Sequence, residues 1–266
     1  MTVAPIVLPG LGPGRSALIT GGTGAIGRAT AEALIRMGVS VAINGRSPEA
    51  TEAAANDLGS GVLALPGDIA NPIDADRIVQ ESADRWGSLD VLVHSAALSE
   101  GAVPLHELTD HEIDEVVRVN VRGSLMIARA AGRLMCRQGG GRIVNVASVA
   151  AHRALPGRVV YGTTKAALVQ LTRQLAVELG PCGVRVNSVS PGQTPTFIRL
   201  VDEPPGSVPR PKVDDPTGEA TCERIPLRRR GQLADFVGPI LFLASNLAAY
   251  VTGVDIPIDG GAMVLR

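Results

Sequence analysis

Short apolar runs alternate with longer segments of helical spacing along most of the chain. Seven of the runs are typical of buried strands, at residues 17–20, 39–44, 62–65, 91–94, 142–147, 184–189 and 254–258. Apolar residues recur at helical spacing near 27–37, 48–58, 72–86, 109–137, 161–179 and 232–246. Parallel strands need crossover connections, and helices then cover both faces of the sheet. The pattern therefore predicts an α/β protein with a doubly wound, seven-stranded parallel sheet flanked by helices.

Two segments do not follow this alternation. Residues 1–15 are rich in proline and glycine, which predicts a loose N-terminal arm before a single domain at 16–266. The stretch 197–224 carries five prolines and mixed charges, which is typical of a surface lid rather than a core element. We expect substrate selectivity to reside in this lid and in the loops after Ala97 and Ser148.

Composition narrows the classes of function. The 266 residues include 25 basic and 26 acidic side chains, which give a formal net charge of -1. Such a balance produces no broad positive field, so we expect no nucleic-acid or membrane partner and a small molecule instead. No apolar run approaches the roughly 18 residues of a membrane-spanning helix. The sequence therefore predicts a soluble, cytoplasmic protein.

The cysteines and histidines favour neither a disulfide nor a metal site. Cys136, Cys182 and Cys222 are widely spaced and form no CxxC pair, so free thiols, buried or neutral, are expected. The four histidines lack the close pairing on one helix face that a metalloenzyme motif shows. No metal is predicted.

A glycine-rich turn follows the first predicted strand and leads into a helix. It spans residues 20–27, with the sequence Thr-Gly-Gly-Thr-Gly-Ala-Ile-Gly. Glycines let a backbone turn sharply and approach a pyrophosphate, whose charge is met by N–H groups at the helix N-terminus. The alternative is a merely tight strand-to-helix turn. The context favours a Rossmann-type dinucleotide loop.

The second strand ends at Asn44-Gly45-Arg46-Ser47, where dinucleotide folds hold the adenosine ribose. No carboxylate is present there to bind a free 2′-hydroxyl, whereas Arg46 can form charge-assisted bonds to a 2′-phosphate. NADP(H) is therefore favoured, and NAD(H) stays open because Arg46 is also compatible with a solvated turn residue.

Tyr161 and Lys165 share one face of a predicted helix, since they are four positions apart. A tyrosine titrates near 10, so acid or base chemistry near neutrality needs a neighbouring cation. Lys165 is such a cation, and an oxidised nicotinamide would add to it. Ser148 closes the fifth predicted strand, at the end where ligands bind in open α/β sheets, and Asn120 lies on the preceding helix. Taken singly, Ser148 is also compatible with a cap and Asn120 with a locally satisfied polar residue.

Together these residues resemble the short-chain dehydrogenase/reductase family, and its 3-oxoacyl reductases in particular, from about residue 16 to 261. Residues 20–27 match the family's T-G-x-x-x-[AG]-x-G loop, and residues 259–261 match its C-terminal signature. The resemblance implies a catalytic tetrad of Asn120, Ser148, Tyr161 and Lys165. It implies cofactor contacts from Gly21, Thr23, Ala25, Ile26, Gly27, Arg46, Ser47, Asp68, Ile69, Ser95, Ala96, Tyr161, Lys165, Pro191, Gly192, Thr194 and Thr196.

One departure from the family pattern follows the fourth strand. The usual N-N-A-G is replaced by His94-Ser95-Ala96-Ala97. The missing first asparagine normally ties strands together through its side chain, so His94 or Ser95 must satisfy that buried polar region differently. We expect this change to affect the fine geometry of cofactor binding and not the class of reaction.

The resemblance implies an NADP(H)-dependent oxidoreductase that reduces a ketone to a secondary alcohol, in fatty-acid-like or secondary metabolism. Tyr161 would protonate the developing alkoxide and Ser148 would donate a hydrogen bond to the same oxygen. Lys165 would lower the pKa of Tyr161 and bind the nicotinamide ribose, and Asn120 would hold a water that connects Lys165 to solvent.

Two other functions stay open. One is NAD-dependent dehydrogenation of a cyclic dihydrodiol or a secondary alcohol, and the other is a catalytically silent, dinucleotide-sensing binding protein on the same scaffold. The intact tetrad argues against the silent protein, and cofactor preference separates the two enzymes. The resemblance also implies a homotetramer or homodimer that forms through the helices at 109–137 and 161–179.

Overall fold

The computed structural model describes residues 8–194, 198–205 and 222–265. Seven parallel strands form one sheet with the order β3-β2-β1-β4-β5-β6-β7. The strands are β1 Ser16–Thr20, β2 Ser40–Gly45, β3 Leu63–Pro66, β4 Val91–His94, β5 Gly141–Val146, β6 Val184–Pro191 and β7 Asp255–Ile258. The predicted doubly wound sheet is confirmed, and its strand ends lie within about two residues of the predicted ones.

The helices alternate with the strands as predicted. They are α1 Ala25–Arg36, α2 Pro48–Leu58, α3 Pro72–Trp86, α4 Asp110–Val117, α5 Ser124–Gln138, α6 Val159–Leu179 and α7 Leu233–Ala244. Caps explain several of the boundaries. Asn71 accepts the N–H of Ile73 before α3, and Thr109 forms a capping box with Glu112 before α4.

One long predicted helix is interrupted. Apolar spacing over 109–137 predicts a single element, but a π-helical turn at Arg118–Gly123 separates α4 from α5. A π turn inserts only one extra residue into a helical run, and the apolar spacing on either side does not reveal so small a change. Such wide turns are frequent at functional sites, and this one carries Asn120.

Side chains of each strand alternate between two apolar layers, one on either face of the sheet. Ala17 and Ile19 pack with residues of α1 and α7, whereas Leu18 packs with residues of α3 and α5. All three side chains are fully buried. This two-sided burial explains why the strands are continuous apolar runs in the sequence.

The predicted arm at 1–15 is described only from residue 8 onward, and there Leu11 is buried in the core and the N–H of Asn246 donates to the carbonyl of Pro9 at 2.6 Å. The expectation about the cysteines needs correction. Where free thiols were expected, Cys136 and Cys182 form a disulfide between the end of α5 and the turn after α6. The two cysteines are 46 positions apart in the sequence, which conceals their proximity; they meet only when α5 and α6 pack on the same face of the sheet.

The sheet order reverses between β1 and β4, so the connections after these strands diverge to opposite sides. Ligands of open α/β sheets bind in the crevice that this divergence leaves at the carboxyl ends of the strands. The predicted site residues follow those same ends: the glycine-rich loop after β1, Arg46 after β2, Ser95 after β4 and Ser148 after β5.

Candidate active site

A cavity of about 670 Å³ opens at the carboxyl ends of the strands. Most of the predicted site residues line it, although they come from seven separate parts of the chain. They are Gly21, Thr23, Ala25, Ile26, Arg46, Ile69, Ser95, Ala96, Ser148, Tyr161, Lys165, Pro191, Gly192 and Thr194. The fold therefore brings the candidate cofactor contacts and the candidate tyrosine into one continuous cavity.

Four predicted residues do not line the cavity. Ser47 caps α2, where its hydroxyl oxygen accepts the N–H of Ala50 at 3.2 Å. Asp68 accepts the N–H of Ala70 and pairs with Arg118. Gly27 lies against the glycine-rich loop, and Asn120 lies behind the cavity. Thr196 is outside the described residues.

The glycine-rich loop requires residues without side chains. Gly21 has a φ of +66°, and a Cβ there would lie 2.7 Å from the backbone nitrogen of Ala96. A Cβ on Gly27 would collide with the carbonyl oxygen of Gly21. The loop leads into α1, whose N-cap Gly24 offers no side-chain acceptor and whose first turn carries no acidic residue. The first N–H groups of α1 thus meet the cavity in a cradle suited to a pyrophosphate.

Arg46 follows β2 and lines the same cavity. Its side chain is 23% exposed, and its Nη1 lies 3.7 Å from Oε2 of Glu115. Glu115 is held in turn by Arg118, whose Nε donates to Oε1 at 2.7 Å. Burial lowers the pKa of Arg46 from its usual value, although a guanidinium stays charged near neutrality. A cation that can bind a 2′-phosphate is therefore present, with a carboxylate beside it.

Tyr161 and Ser148 meet at the base of the cavity. Burial raises the pKa of the Tyr161 phenol to about 12, opposed by a hydrogen bond with Ser148 and by the charge of Arg158. The Ser148 hydroxyl oxygen also accepts the N–H of Ala150 at 3.1 Å. Ser148 is consequently both a cap, as one interpretation of the sequence had it, and a neighbour of the phenol.

Lys165 lies one helical turn after Tyr161 and is buried. Its Nζ lies 5.6 Å from the centroid of the Tyr161 ring and donates to the carbonyl of Val146 at 2.7 Å. Burial lowers the pKa of the Lys165 amine to about 7. The amine can therefore change its protonation state near neutral pH.

Asn120 braces the segment behind this pair. Its side-chain amide accepts the N–H of Leu98 at 2.8 Å and donates to the carbonyl of Leu98 at 2.9 Å. It also donates to the hydroxyl of Thr164 at 3.0 Å, next to Lys165. These three bonds satisfy a buried amide and connect the π turn to α6.

The structure adds Glu100, which the sequence analysis missed. This carboxylate is 4% exposed and accepts the backbone N–H groups of Val160 and Tyr161, each at 3.0 Å. The sequence did carry a signal. Arg158 stands at the N-cap of α6 with no side-chain cap, so the first N–H groups of this helix need an acceptor from elsewhere.

His94 replaces the asparagine of the family pattern through a chain of hydrogen bonds. Its Nδ1 lies 2.7 Å from the Thr20 hydroxyl and its Nε2 lies 2.8 Å from the Ser124 hydroxyl, which donates to the carbonyl of Asn120 at 2.5 Å. The Ser124 hydroxyl donates its only proton to that carbonyl, so it can only accept from His94. His94 therefore carries its proton on Nε2, and its Nδ1 accepts the hydroxyl proton of Thr20. Burial, together with Lys165, lowers the pKa of His94 to about 3.

Comparison with known proteins gives the family. A model described as enoyl-(acyl carrier protein) reductase matches residues 22–263. Sorbitol dehydrogenase of Cereibacter sphaeroides is 38% identical over 257 residues, which cover 93% of this chain and 97% of that protein. The chain belongs to the short-chain dehydrogenase/reductase family. The resemblance drawn from the sequence is confirmed.

Solved structures of the short-chain dehydrogenase/reductase family share the whole fold. A gluconate 5-dehydrogenase from Burkholderia cenocepacia, in complex with NADP and tartrate, has a TM-score of 0.85 and 29% identity, covering 96% of this chain and 97% of that one. A 3-ketoacyl-(acyl-carrier-protein) reductase from Brucella melitensis, complexed with NADH, has a TM-score of 0.82 and 29% identity, covering 94% and 98%.

Family membership makes this chain an oxidoreductase of alcohols and ketones that uses a nicotinamide dinucleotide. The named relatives are dehydrogenases or reductases, and the two solved structures hold NADP and NADH. In the part of the chain that the structure describes, no helix is both long and apolar enough to cross a membrane.

Proposed function

We propose that this short-chain dehydrogenase/reductase uses NADP(H) to reduce a ketone to a secondary alcohol, with Tyr161 as the general acid. The observation that carries the proposal is the placement of the partly buried Tyr161 phenol, beside Ser148 and Lys165, in the same cavity as the glycine-rich cradle and Arg46. A cavity that joins a dinucleotide cradle to a proton donor supports hydride chemistry on a carbonyl.

The cradle fits the cofactor, because Gly21 and Gly27 let the loop pack closely against its own backbone and Gly24, Ala25 and Ile26 at the start of α1 line the cavity, where a pyrophosphate would meet the first N–H groups of the helix. Arg46 would bind the 2′-phosphate, and Ile69 and Ala96 line the path between the two ends of the cavity. Pro191, Gly192 and Thr194 line its other wall, where the nicotinamide would lie. The reduced dinucleotide supplies the hydride that the carbonyl carbon receives.

Tyr161 is suited to donate a proton. With its pKa raised to about 12, the phenol is protonated at neutral pH. It would pass that proton from its hydroxyl to the developing alkoxide, while the Ser148 hydroxyl donates a hydrogen bond to the same oxygen. Proton donation is most effective as the pKa approaches the working pH, and a cationic nicotinamide or a charged Lys165 would lower the pKa of Tyr161 in that direction.

Lys165 would return the proton to Tyr161. Its amine has a pKa of about 7, so it can hold or release a proton near neutrality. Asn120 supports this role by its bonds to Leu98 and Thr164, which fix the turn behind the amine. The predicted water between Asn120 and Lys165 stays part of the proposal.

The second candidate is an NAD-dependent dehydrogenase of a cyclic dihydrodiol or secondary alcohol. Glu115 favours it, since a carboxylate 3.7 Å from Arg46 competes with a 2′-phosphate for the guanidinium and repels the phosphate charge. The sorbitol dehydrogenase and the NADH complex among the relatives are compatible with this alternative. Under either proposal the substrate is a small molecule, the compartment is the cytoplasm and the assembly is a homodimer or homotetramer.

The test is a matched set of turnover assays followed at the absorbance of the reduced nicotinamide. We expect NADPH to be consumed only when a ketone is supplied, with a secondary alcohol as the product. Preferential reduction of NAD by alcohols would favour the second candidate. Tight dinucleotide binding without turnover of any ketone or alcohol would point to the silent binding protein.

A further inference from the structure

Arginines line the part of the cavity next to Tyr161. The four are Arg153, Arg158, Arg199 and Arg224. Two carboxylates lie on the same lining, and both are engaged: Asp259 accepts the N–H groups of Gly261 and Met263, and Glu203 accepts the N–H of Leu200. The substrate end of the cavity therefore has more cationic than anionic groups.

Two of these arginines converge on one buried residue, Ser99. The guanidinium of Arg158 donates to the Ser99 hydroxyl through Nη1. The N–H of Ser99 donates to the carbonyl of Arg199 at 3.1 Å, within a short parallel bridge that joins Ser99 to Leu200. Since Ser99 is fully buried, both arginines are anchored to the protein interior rather than carried by a solvated loop.

Neither guanidinium contacts a carboxylate directly, and Arg158 is linked to one, that of Glu100, only through the Ser99 hydroxyl. Among the described residues, neither Arg158 nor Arg199 forms an ion pair; Nη1 of Arg199 donates to the backbone carbonyl of Glu203 at 3.0 Å. A guanidinium has five donors in a planar fork, and one bond satisfies few of them. Such forks bind carboxylate and phosphate groups with two parallel hydrogen bonds.

Arg158 is also tied to the proposed proton donor. It precedes Tyr161 by three positions, and its charge acts on the phenol. Glu100 holds the N–H of Tyr161 and lies 3.5 Å from the Ser99 hydroxyl that holds Arg158. One network therefore fixes both the guanidinium and the phenol, so that a substrate bound to one is positioned for the other.

We propose that Arg158 and Arg199 form an oxyanion subsite, and that the physiological substrate is a ketone or alcohol that also carries a carboxylate or phosphate group. This inference rests on the proposed function and narrows it to oxo acids, hydroxy acids or their phosphorylated counterparts. Neutral polyols and hydrocarbons lack the group that the two guanidinium forks bind.

The test measures anion binding directly and needs no turnover. Malonate, inorganic phosphate and the neutral malonamide are titrated against the protein with saturating NADP present, which keeps the anions from the glycine-rich cradle and Arg46. Dissociation constants come from calorimetry at constant ionic strength. Arg158→Gln is compared with Arg173→Gln, which removes an exposed arginine from the same helix, outside the cavity.

We expect the wild type to bind malonate or phosphate saturably and not to bind malonamide. Anion binding should be at least tenfold weaker in Arg158→Gln and should recover in part in Arg158→Lys. The Arg173→Gln variant keeps the wild-type constant. Tighter binding of malonate identifies a carboxylate substrate, and tighter binding of phosphate identifies a phosphorylated one. Absence of saturable anion binding in the wild type, or an unchanged constant in Arg158→Gln, overturns the subsite. Failure of the proposed function appears separately, as missing turnover in the nicotinamide assay.

Discussion

The carboxylate of Glu100 and the backbone N–H of Tyr161 are 3.0 Å apart, although 61 residues separate them in the chain. Through this bond and a matching one to Val160, Glu100 does for α6 what a capping residue does for other helices. Negative charge at a helix N-terminus is stabilised by the helix dipole. The position of the phenol thus depends on a carboxylate from the loop after β4.

Replacing Glu100 with glutamine is expected to slow ketone reduction roughly tenfold or more. Hydrogen bonds to a charged group contribute about 1.5–3 kcal/mol. Glutamine keeps one acceptor oxygen for the two N–H groups but loses the negative charge and the second acceptor, Oε2, which the N–H of Tyr161 also contacts at 3.1 Å. Glu100 also raises the pKa of Tyr161, so the alkaline limb of the pH profile should move to lower pH in the variant. Steady-state kinetics across pH, together with the dissociation constant of NADPH, measure both effects.

The matched control is Glu112→Gln. Glu112 likewise accepts a backbone N–H at a helix N-terminus, that of Thr109, but it is partly exposed and does not line the cavity. We expect this variant to keep the wild-type pH profile. If the pH profile of ketone reduction is also unchanged in Glu100→Gln, Glu100 does not position Tyr161.

Cofactor preference should depend on Arg46. In Arg46→Gln, NADPH is expected to bind at least tenfold more weakly, while binding of NADH changes less than twofold, because only NADPH carries the 2′-phosphate. Glu115→Gln should act in the opposite direction, since it removes the carboxylate 3.7 Å from Arg46. Fluorescence titrations of each dinucleotide at one salt concentration give these constants. Equal losses for both dinucleotides in Arg46→Gln would rule out a 2′-phosphate contact.

The free energy of unfolding should fall as pH falls because of the buried, neutral His94. Its pKa in the folded protein is about 3, below the value of about 6.5 of an unfolded histidine. As pH falls below about 6.5, the unfolded chain binds a proton that folded His94 refuses, so stability is lost toward pH 3. The slope from one such group approaches about 1.4 kcal/mol per pH unit.

Urea unfolding of wild type and His94→Asn at pH 7, 6 and 5 isolates this contribution. The difference in unfolding free energy between the two proteins should shrink as pH falls, because the variant has no buried imidazole to keep neutral. The exposed His111→Asn serves as the control and should follow the wild type. A difference between wild type and His94→Asn that stays constant with pH would contradict a buried, neutral His94.

Much of the fold could be predicted because its determinants are local. Leu18 and Ile19 are buried on opposite faces of the sheet, and this produces the continuous apolar runs from which the strands were predicted. The glycine-rich loop was equally readable, since only glycine is compatible with the backbone at Gly21. Both the strands and the loop are determined by residues that are close together in the sequence.

The remainder depends on contacts between distant residues. Glu100 is an unremarkable loop acid until α6 packs against it, and Arg158 is an ordinary turn residue until Ser99 anchors it. Cys136 and Cys182 meet only in the packed helices. The cofactor contacts of Ser47 and Asp68 stay predictions; in the structure the side chain of Ser47 caps α2 and that of Asp68 pairs with Arg118.

The most direct test of the central claim compares the two tyrosines of the chain. Tyr161 is partly buried and lines the cavity, whereas Tyr250 is fully exposed. General acid catalysis contributes roughly 10²–10⁴-fold, so Tyr161→Phe should lose ketone reduction by that factor and keep its dissociation constant for NADPH. Tyr250→Phe should match the wild type in both quantities. Turnover retained in Tyr161→Phe, with NADPH bound as in the wild type, would contradict the account.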